Sequence, residues 1–190
     1  MAEYGGSGRL GGVFSLVIQC MAGIPSIVTG LFVYAVFVVW AGFGISLLAG
    51  GLALAIKVFP VIVITTREAL ISVSQLYRLM GISLGVSRWY VVRRVVVPQA
   101  AAAVLSGILL AMGYAAGATA PIMVTAAVIS ASSSGGLFEP VMALPYHLYI
   151  LFSQRISLEM AYGTALLLAL MILCLNAVAL WLRNLKSGGA

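Results

Sequence analysis

The fold of this chain is decided by residues 65–98, TTREALISVSQLYRLMGISLGVSRWYVVRRVVVP, which form its only long polar interruption. The rest is strongly apolar: the chain is 63% hydrophobic and 7% charged, with a mean hydropathy of +1.18. Soluble domains are nearer ~45–50% apolar, and the apolar runs on either side exceed the ~20 residues needed to cross a bilayer. The sequence therefore predicts an all-α, polytopic helical membrane protein.

Within the interruption, residues 68–84 carry an apolar stripe at the helical period. The stripe consists of Leu70, Val73, Leu76, Tyr77, Met80 and Leu84. Gly85 stands where a residue with positive φ would end a helix, and Ser87 can cap a second helical piece. We expect a helix-turn-helix that lies on a membrane surface.

Four apolar stretches flank this loop and are predicted to be membrane helices. They cover about residues 11–40, 45–65, 95–130 and 157–182, with the loop at 66–94. Pro25 interrupts the first stretch, and the third is too long for one span, so it should break near residues 117–121. Pro25 and Ser26 mark either a packing kink or a break that lines a cavity.

The basic residues indicate the orientation of the chain. If residues 65–98 are cytoplasmic, alternation places eight basic residues inside and only Arg155 outside. The eight are Arg9, Arg67, Arg78, Arg88, Arg93, Arg94, Arg183 and Lys186. The net charge of +6 would be compatible with nucleic-acid binding, but the basic residues sit beside apolar runs and do not form an exposed stripe. Their placement predicts a multi-pass protein of the cell membrane.

Lys57 is the one basic residue expected within the membrane core. It precedes Thr65 by eight residues, about 12 Å at helical rise, inside a hydrocarbon layer about 30 Å thick. Placing a lysine there costs on the order of 2.5–3.5 kcal/mol on insertion scales. We expect Lys57 to face a cavity or a partner, or to satisfy backbone carbonyls freed by the breaks at Pro25 or Pro60. The remaining alternative is that it snorkels along its own stem.

The sequence offers no catalytic or metal-binding pattern. It has no Gly-x-x-x-x-Gly-Lys-Ser/Thr run for nucleotide phosphates and no nucleophile elbow. The four acidic residues are scattered, and Cys20 and Cys174 stand alone in apolar stretches. His147, the only histidine, falls in a segment of interfacial character. We therefore predict no enzyme activity, no cofactor and no metal site in this chain.

Residues 78–98 resemble the cytoplasmic EAA loop of type I ABC importer permeases. Three further segments resemble parts of the phosphate permeases, most closely the PstA type, in the same order: Ala2-Glu-Tyr-Gly5, Gly23-Ile-Pro-Ser-Ile-Val-Thr-Gly-Leu-Phe32 and Gly117-Ala-Thr-Ala-Pro121. The resemblance implies a MetI-like permease fold over residues 1–190. That fold has six spans, and the first of these segments matches the sequence after the second span, so the resemblance implies an N-terminally truncated chain.

The resemblance also implies roles for residues. The helix ending at Gly85 would be a coupling helix that docks into a groove on an ABC ATPase subunit, the alternative being a helix that rests on lipid. Its residues would be Arg78, Leu79, Met80, Gly81, Ser83, Leu84 and Gly85. Pro25, Ser26, Lys57 and Thr119 are the candidates for the translocation pathway. The implied partners are that ATPase, a second homologous permease, an extracytoplasmic substrate-binding protein and membrane lipid.

Two departures from the family pattern bear on the substrate. Leu79 stands where the EAA motif opens with an acidic residue. Tyr114 and Ala118 stand where phosphate permeases have Arg and Glu, and their joint change is typical of neutral replacement of an intramembrane ion pair. We predict a permease subunit of an importer for inorganic phosphate. The alternatives are a related permease for another substrate and a truncated, non-transporting membrane protein.

Overall fold

The computed structural model describes residues 9–128 and 135–187 of the chain. That part is helical and contains no strand, which confirms the all-α prediction. The helices are α1 (Arg9–Gly23), α2 (Ser26–Val33), α3 (Leu47–Ile71), α4 (Gln75–Ser83), α5 (Arg88–Val91), α6 (Val97–Ala116), α7 (Ala120–Thr125), α8 (Leu144–Ser153) and α9 (Leu158–Ser187). Two π-helical segments extend this series, Tyr34–Trp40 after α2 and Val92–Val96 between α5 and α6. The segment Ala2-Glu-Tyr-Gly5 lies outside the described residues.

Three helical stretches are long and apolar enough to cross a membrane: Leu47–Ile71, Arg88–Ala116 and Leu158–Leu182. A fourth candidate is a bent pair, Gly11–Gly23 with Ser26–Trp40, whose two arms meet at 99°. The stretch expected over residues 11–40 is thus divided into two arms of very different direction. Pro25 explains the division, because its ring removes a backbone donor and disfavours helical geometry in the residue before it.

The single amphipathic helix expected over residues 68–84 is wrong. Helix α3 continues to Ile71, and a new helix starts at Gln75, where the Ser74 side chain accepts a hydrogen bond from the backbone N–H of Leu76 at 3.3 Å. Val73, 8% exposed, turns into a core, whereas Leu84 of the same predicted stripe is 79% exposed. Two serines around Val73 compete for backbone groups and so divide the helix.

A small core joins the polar loop to α6. It consists of Val73, Val91, Val96 and Ala100, with Leu70, Val86, Val95 and Val104 packed around them. The spanning stretch that ends at Ala116 therefore begins at Arg88, seven residues before the predicted start at residue 95. It begins early because these valines bury one side of it against the loop. The loop and α6 form one packed unit.

Helix α6 packs between α3 and α9. A Cβ on Gly107 would lie 2.7 Å from Thr65 Oγ1, so α3 and α6 approach closely there. On the other side, Ser106 Oγ donates a hydrogen bond to the Ala179 carbonyl of α9 at 2.8 Å. Only 6% of the apolar α9 window is buried against the described residues, which leave most of this helix uncovered.

Candidate functional site

The break between α1 and α2 is joined to α3 by one lysine. Pro25 precedes the first turn of α2, and Ser26 is the first residue of that helix. Lys57 Nζ donates a hydrogen bond to the Ile24 carbonyl at 2.8 Å, and the lysine is only 9% exposed. The Ile24 carbonyl lies at the break, so the ammonium supplies a donor to a backbone group that has left the regular helix.

This contact is the one expected if Lys57 satisfies a carbonyl freed by the break at Pro25. Its head group is inside the helix packing, so the snorkelling alternative is wrong. An ammonium carries three N–H donors, and Ile24 takes one of them in the described residues. The structure therefore brings Pro25, Ser26 and Lys57 together around one carbonyl.

A second helix break lies between α6 and α7. Helix α6 ends at Ala116, and Thr119 stands immediately before α7 without capping it through its side chain. Tyr114 is in the last turn of α6, and Ala118 is in the break itself. Tyr114 and Ala118, for which the resemblance implies a changed charge pair, are therefore beside and within this break.

The two breaks are connected through direct packing of α2 on α7. A Cβ on Gly30 of α2 would lie 2.9 Å from the Cα of Pro121 in α7. Pro121 and Thr125 are fully buried, and the Thr125 carbonyl accepts a hydrogen bond from the N–H of Ser46, just before α3. Thr119 immediately precedes α7, which makes this contact. Lys57 bonds to Ile24, just before the first residue of α2.

In the polar loop, Arg78 is directed back toward its own chain. Its Nη1 donates to the Val73 carbonyl at 2.7 Å and its Nη2 to the Leu70 carbonyl at 2.9 Å. These are carbonyls at and just beyond the C-terminal end of α3, where helical partners are missing. Arg78 therefore ties α4 to α3 through its guanidinium group.

Two glycines shape the loop in different ways. Gly81 is buried, and a Cβ there would collide with the Val91 side chain of α5. Gly85 has φ of +67°, which confirms the predicted left-handed turn. The predicted cap by Ser87 is also confirmed, since its side chain accepts from the Tyr90 N–H at 3.3 Å. Gly81 serves close packing and Gly85 serves the turn.

The remaining residues of the predicted coupling set form an exposed apolar surface on α4. Leu79, Met80 and Leu84 are all exposed, as is Leu76 one turn earlier. Ser83 lies among them and donates its hydroxyl hydrogen to the Leu79 carbonyl at 3.1 Å. This apolar surface and the inward-facing Arg78 and Gly81 are on different sides of the same short helix.

A cavity of about 610 Å³ between α3, α6 and α9 was not expected from the sequence. Its polar lining consists of Thr65, Glu68, Ser72, Ser106 and Asn176. The only sequence signal for it is the isolated Ser106 and Asn176 within apolar runs, since polar residues in spanning helices usually face a protein interior or a cavity. Within residues 9–128 and 135–187, no group of three or more His, Cys, Asp or Glu side chains has a metal-binding arrangement.

Comparisons with known proteins place these features in context. A family model described as "Binding-protein-dependent transport system inner membrane component" matches residues 1–186. The chain is 37% identical over 192 residues to the phosphate transport system permease protein PstA of Xylella fastidiosa strain Temecula1, covering 97% of this chain and 65% of that protein. No solved structure matches the chain significantly.

Two further relatives match most of this chain and part of their own length. The probable ABC transporter permease protein YqgI of Bacillus subtilis is 30% identical over 197 residues, covering 96% of this chain and 67% of that protein. The probable phosphate transport system permease protein PstA of Methanocaldococcus jannaschii is 36% identical over 169 residues, covering 87% of this chain and 59% of that protein. The chain thus spans 59–67% of the length of these relatives.

Proposed function

Because the chain belongs to the family of binding-protein-dependent transport system inner membrane components, we propose that it is a permease subunit of an ATP-driven importer for inorganic phosphate. It is a multi-pass protein of the cell membrane. Support for phosphate comes from relatives named as phosphate transport permeases, which are 36–37% identical to this chain.

The observation that carries this proposal is that two broken helices pack together through α2 and α7, with a buried lysine bonded to the break at the start of α2. Broken helices expose backbone donors and acceptors at membrane depth, where they can bind substrate groups that regular helices cannot. Lys57 holds the α1–α2 break at Ile24 and retains two donors. In the proposed pathway these donors offset the charge of an oxyanion that passes Pro25, Ser26 and Thr119.

Coupling to ATP hydrolysis is proposed for the apolar surface of α4, formed by Leu79, Met80 and Leu84 together with the turn at Gly85. The sequence has no phosphate-binding loop of its own, so hydrolysis is assigned to a partner ATPase. Arg78 ties α4 to the end of α3, and Gly81 packs α4 on Val91 at the start of the α6 stretch. A force on α4 would therefore move both spanning helices, as alternating access requires.

The other proposed partners are a second homologous permease and an extracytoplasmic substrate-binding protein. The family description itself refers to dependence on a binding protein. Helix α9 supports a partner within the membrane, because residues 9–128 and 135–187 leave almost all of its apolar window uncovered. Closure of the ATPase dimer would be transmitted through α4 to this assembly.

A related permease for another substrate is the second candidate. It is favoured by Tyr114 and Ala118, which replace the charged pair that phosphate permeases usually carry next to the α6–α7 break. A tyrosine hydroxyl can donate one hydrogen bond but carries no charge at neutral pH. Such a site would suit a less highly charged substrate than phosphate.

The test is disruption of the gene in its own organism followed by uptake measurements. We expect loss of radiolabelled phosphate uptake at low external phosphate, recovery on complementation, and unchanged sulfate uptake as the control. An affinity-tagged protein should also co-purify with an ATPase subunit. Normal phosphate uptake with loss of another solute would favour the second candidate, and absence of any ATPase would contradict the permease assignment altogether.

A further inference from the structure

The cavity between α3, α6 and α9 has an unusual balance of hydrogen-bonding groups. The hydroxyl hydrogens of Thr65, Ser72 and Ser106 are all donated to backbone carbonyls, those of Val61, Ala69 and Ala179, at 2.8–2.9 Å. A hydroxyl has one hydrogen and two lone pairs, so these oxygens keep only accepting capacity. Together with the Glu68 carboxylate they make one side of the cavity a site for donors.

Asn176 adds donors at the other side of the cavity. Its Oδ1 is buried without a hydrogen-bond partner, close to Gly113, where a Cβ would lie 3.4 Å from that oxygen. Its Nδ2 forms no hydrogen bond within the described residues and is not buried, so its two N–H groups are available to an occupant. The cavity therefore combines an anionic accepting side with a neutral donating side.

The position of the cavity fits the boundary between lipid headgroups and hydrocarbon. Glu68 is three residues from the end of α3, and Arg183 follows Ala179 by four residues, about 6 Å along α9. Leu110 and Leu180 line the cavity and are about half exposed, so it opens on the outer surface of α6 and α9. The exposed Leu173 and Trp181 continue that apolar surface along α9.

We propose that this cavity binds the headgroup of an aminophospholipid, with a primary ammonium at Glu68 and the hydroxyl oxygens and a phosphodiester near the Asn176 amide. Charge complementarity selects this occupant, because a zwitterion presents a cation to the carboxylate and an acceptor to the amide. No described basic side chain forms an ion pair with Glu68. The acyl chains would lie on the apolar surface outside Leu110 and Leu180. The headgroup of phosphatidylcholine has a cation without N–H donors, and the headgroup of phosphatidylglycerol has no cation.

The experiment measures lipid binding to the purified full chain in detergent by native mass spectrometry, with dioleoyl phosphatidylethanolamine, phosphatidylcholine and phosphatidylglycerol compared. We expect phosphatidylethanolamine to bind at least about tenfold more tightly than the other two, since charge-assisted hydrogen bonds are the strong ones and each tenfold step is ~1.4 kcal/mol. Glu68→Gln and, independently, Asn176→Leu should remove that preference.

Glu159→Gln is the matched control, because it neutralises an exposed acidic residue on α9 away from the cavity, and it should keep the preference. Equal binding of the three lipids, or an unchanged preference in both cavity variants, overturns the proposal. If Glu68→Gln and Arg183→Gln both lower the melting temperature without lipid and no preference exists, the cation is Arg183 of the same chain. If Glu68→Gln instead reduces recovery of another subunit, the occupant is a protein side chain. Either result also overturns the proposal.

Discussion

At the scale of single residues, Lys57 shows how one polar side chain can stabilise an irregular backbone in an apolar surrounding. The Ile24 carbonyl has no helical partner because the chain turns at Pro25, and the N–H of Val28 donates to the Pro25 carbonyl instead. The lysine compensates from a different helix, 33 positions away. Burying an ammonium in the membrane costs free energy. The hydrogen bond to the Ile24 carbonyl offsets that cost only if the α1–α2 break lies beside α3, so the position of the break depends on α3.

We expect Lys57→Met to lower the melting temperature of the purified protein, because it leaves the part-buried Ile24 carbonyl without its donor, at a cost of up to about 1–3 kcal/mol. Lys57→Arg should retain much of the stability, since the guanidinium also donates. Phe59→Met, on the exposed side of α3, is the control for the new side chain. An unchanged melting temperature in Lys57→Met would contradict the structural role.

Lys57→Met also tests the proposed translocation pathway when phosphate uptake is measured. Phosphate uptake should be divided by the amount of assembled complex in the membrane, so that loss of protein is not mistaken for loss of transport. We expect uptake per complex to fall in Lys57→Met because a cation is missing. Normal uptake per complex would remove Lys57 from the pathway.

Gly85 is the second residue whose backbone determines the outcome of a substitution. Its φ of +67° costs an L-residue about 1–2 kcal/mol, whereas no neighbouring atom would obstruct a Cβ. We expect Gly85→Val to destabilise the loop by about that amount and Gly85→Asn by less, because Asn tolerates this region. Gly51→Ala, in open space within α3, should be neutral or stabilising by thermal unfolding.

At the scale of elements, α4 has two different surfaces. One side is fixed by Arg78 and Gly81 to the ends of two spanning stretches, and the other presents Leu79, Met80 and Leu84 outward. Exposed apolar side chains that are not used for folding within the chain are typical of a contact with another molecule. This separation allows the folding and the docking of α4 to be tested independently.

We expect Leu84→Asp to leave the melting temperature unchanged but to reduce recovery of the ATPase in a pull-down by about tenfold, since a charge would enter an apolar contact. Gln75→Asp adds the same charge to the exposed start of α4 and should leave recovery unchanged. Equal recovery in both variants would count against the coupling role. Membrane insertion should be normal in each.

At the scale of the whole molecule, the close contact of α2 with α7 unites the two helix breaks. Gly30 allows the backbone of α2 to approach Pro121, and backbone atoms cannot rotate away as side chains can. The arms of the α1–α2 elbow meet at 99°, so this contact and the Lys57 hydrogen bond together determine the direction of α2.

Gly30→Leu should therefore reduce the amount of folded protein in the membrane more than Gly85→Val does. The expected loss of stability is at least about 1–3 kcal/mol, the range for overpacking a close contact. Gly51→Leu on the open side of α3 is the matched control. Size-exclusion chromatography of detergent extracts would measure both, and similar monodisperse yields would contradict the tight α2–α7 contact.

The sequence by itself determined the all-helical membrane architecture, the break at Pro25 and the turn at Gly85. Each of these follows from local chemistry: hydropathy over a window, a ring without an N–H, and a residue without a Cβ. The cap at Ser87 belongs to the same class, because its bond to the Tyr90 N–H spans only three residues.

Only the tertiary structure decided which groups meet across the chain. Ser72 and Ser74 divide residues 68–84 through local bonds, but the burial of Val73 in a core with α6 is a long-range contact. The tie of Arg78 to α3 requires a chain reversal that the helical period does not indicate. The Lys57 contact, the Gly30 approach and the polar cavity join residues far apart in sequence. Their geometry depends on how whole helices pack, and hydropathy shows only that a residue is out of place, not which partner satisfies it.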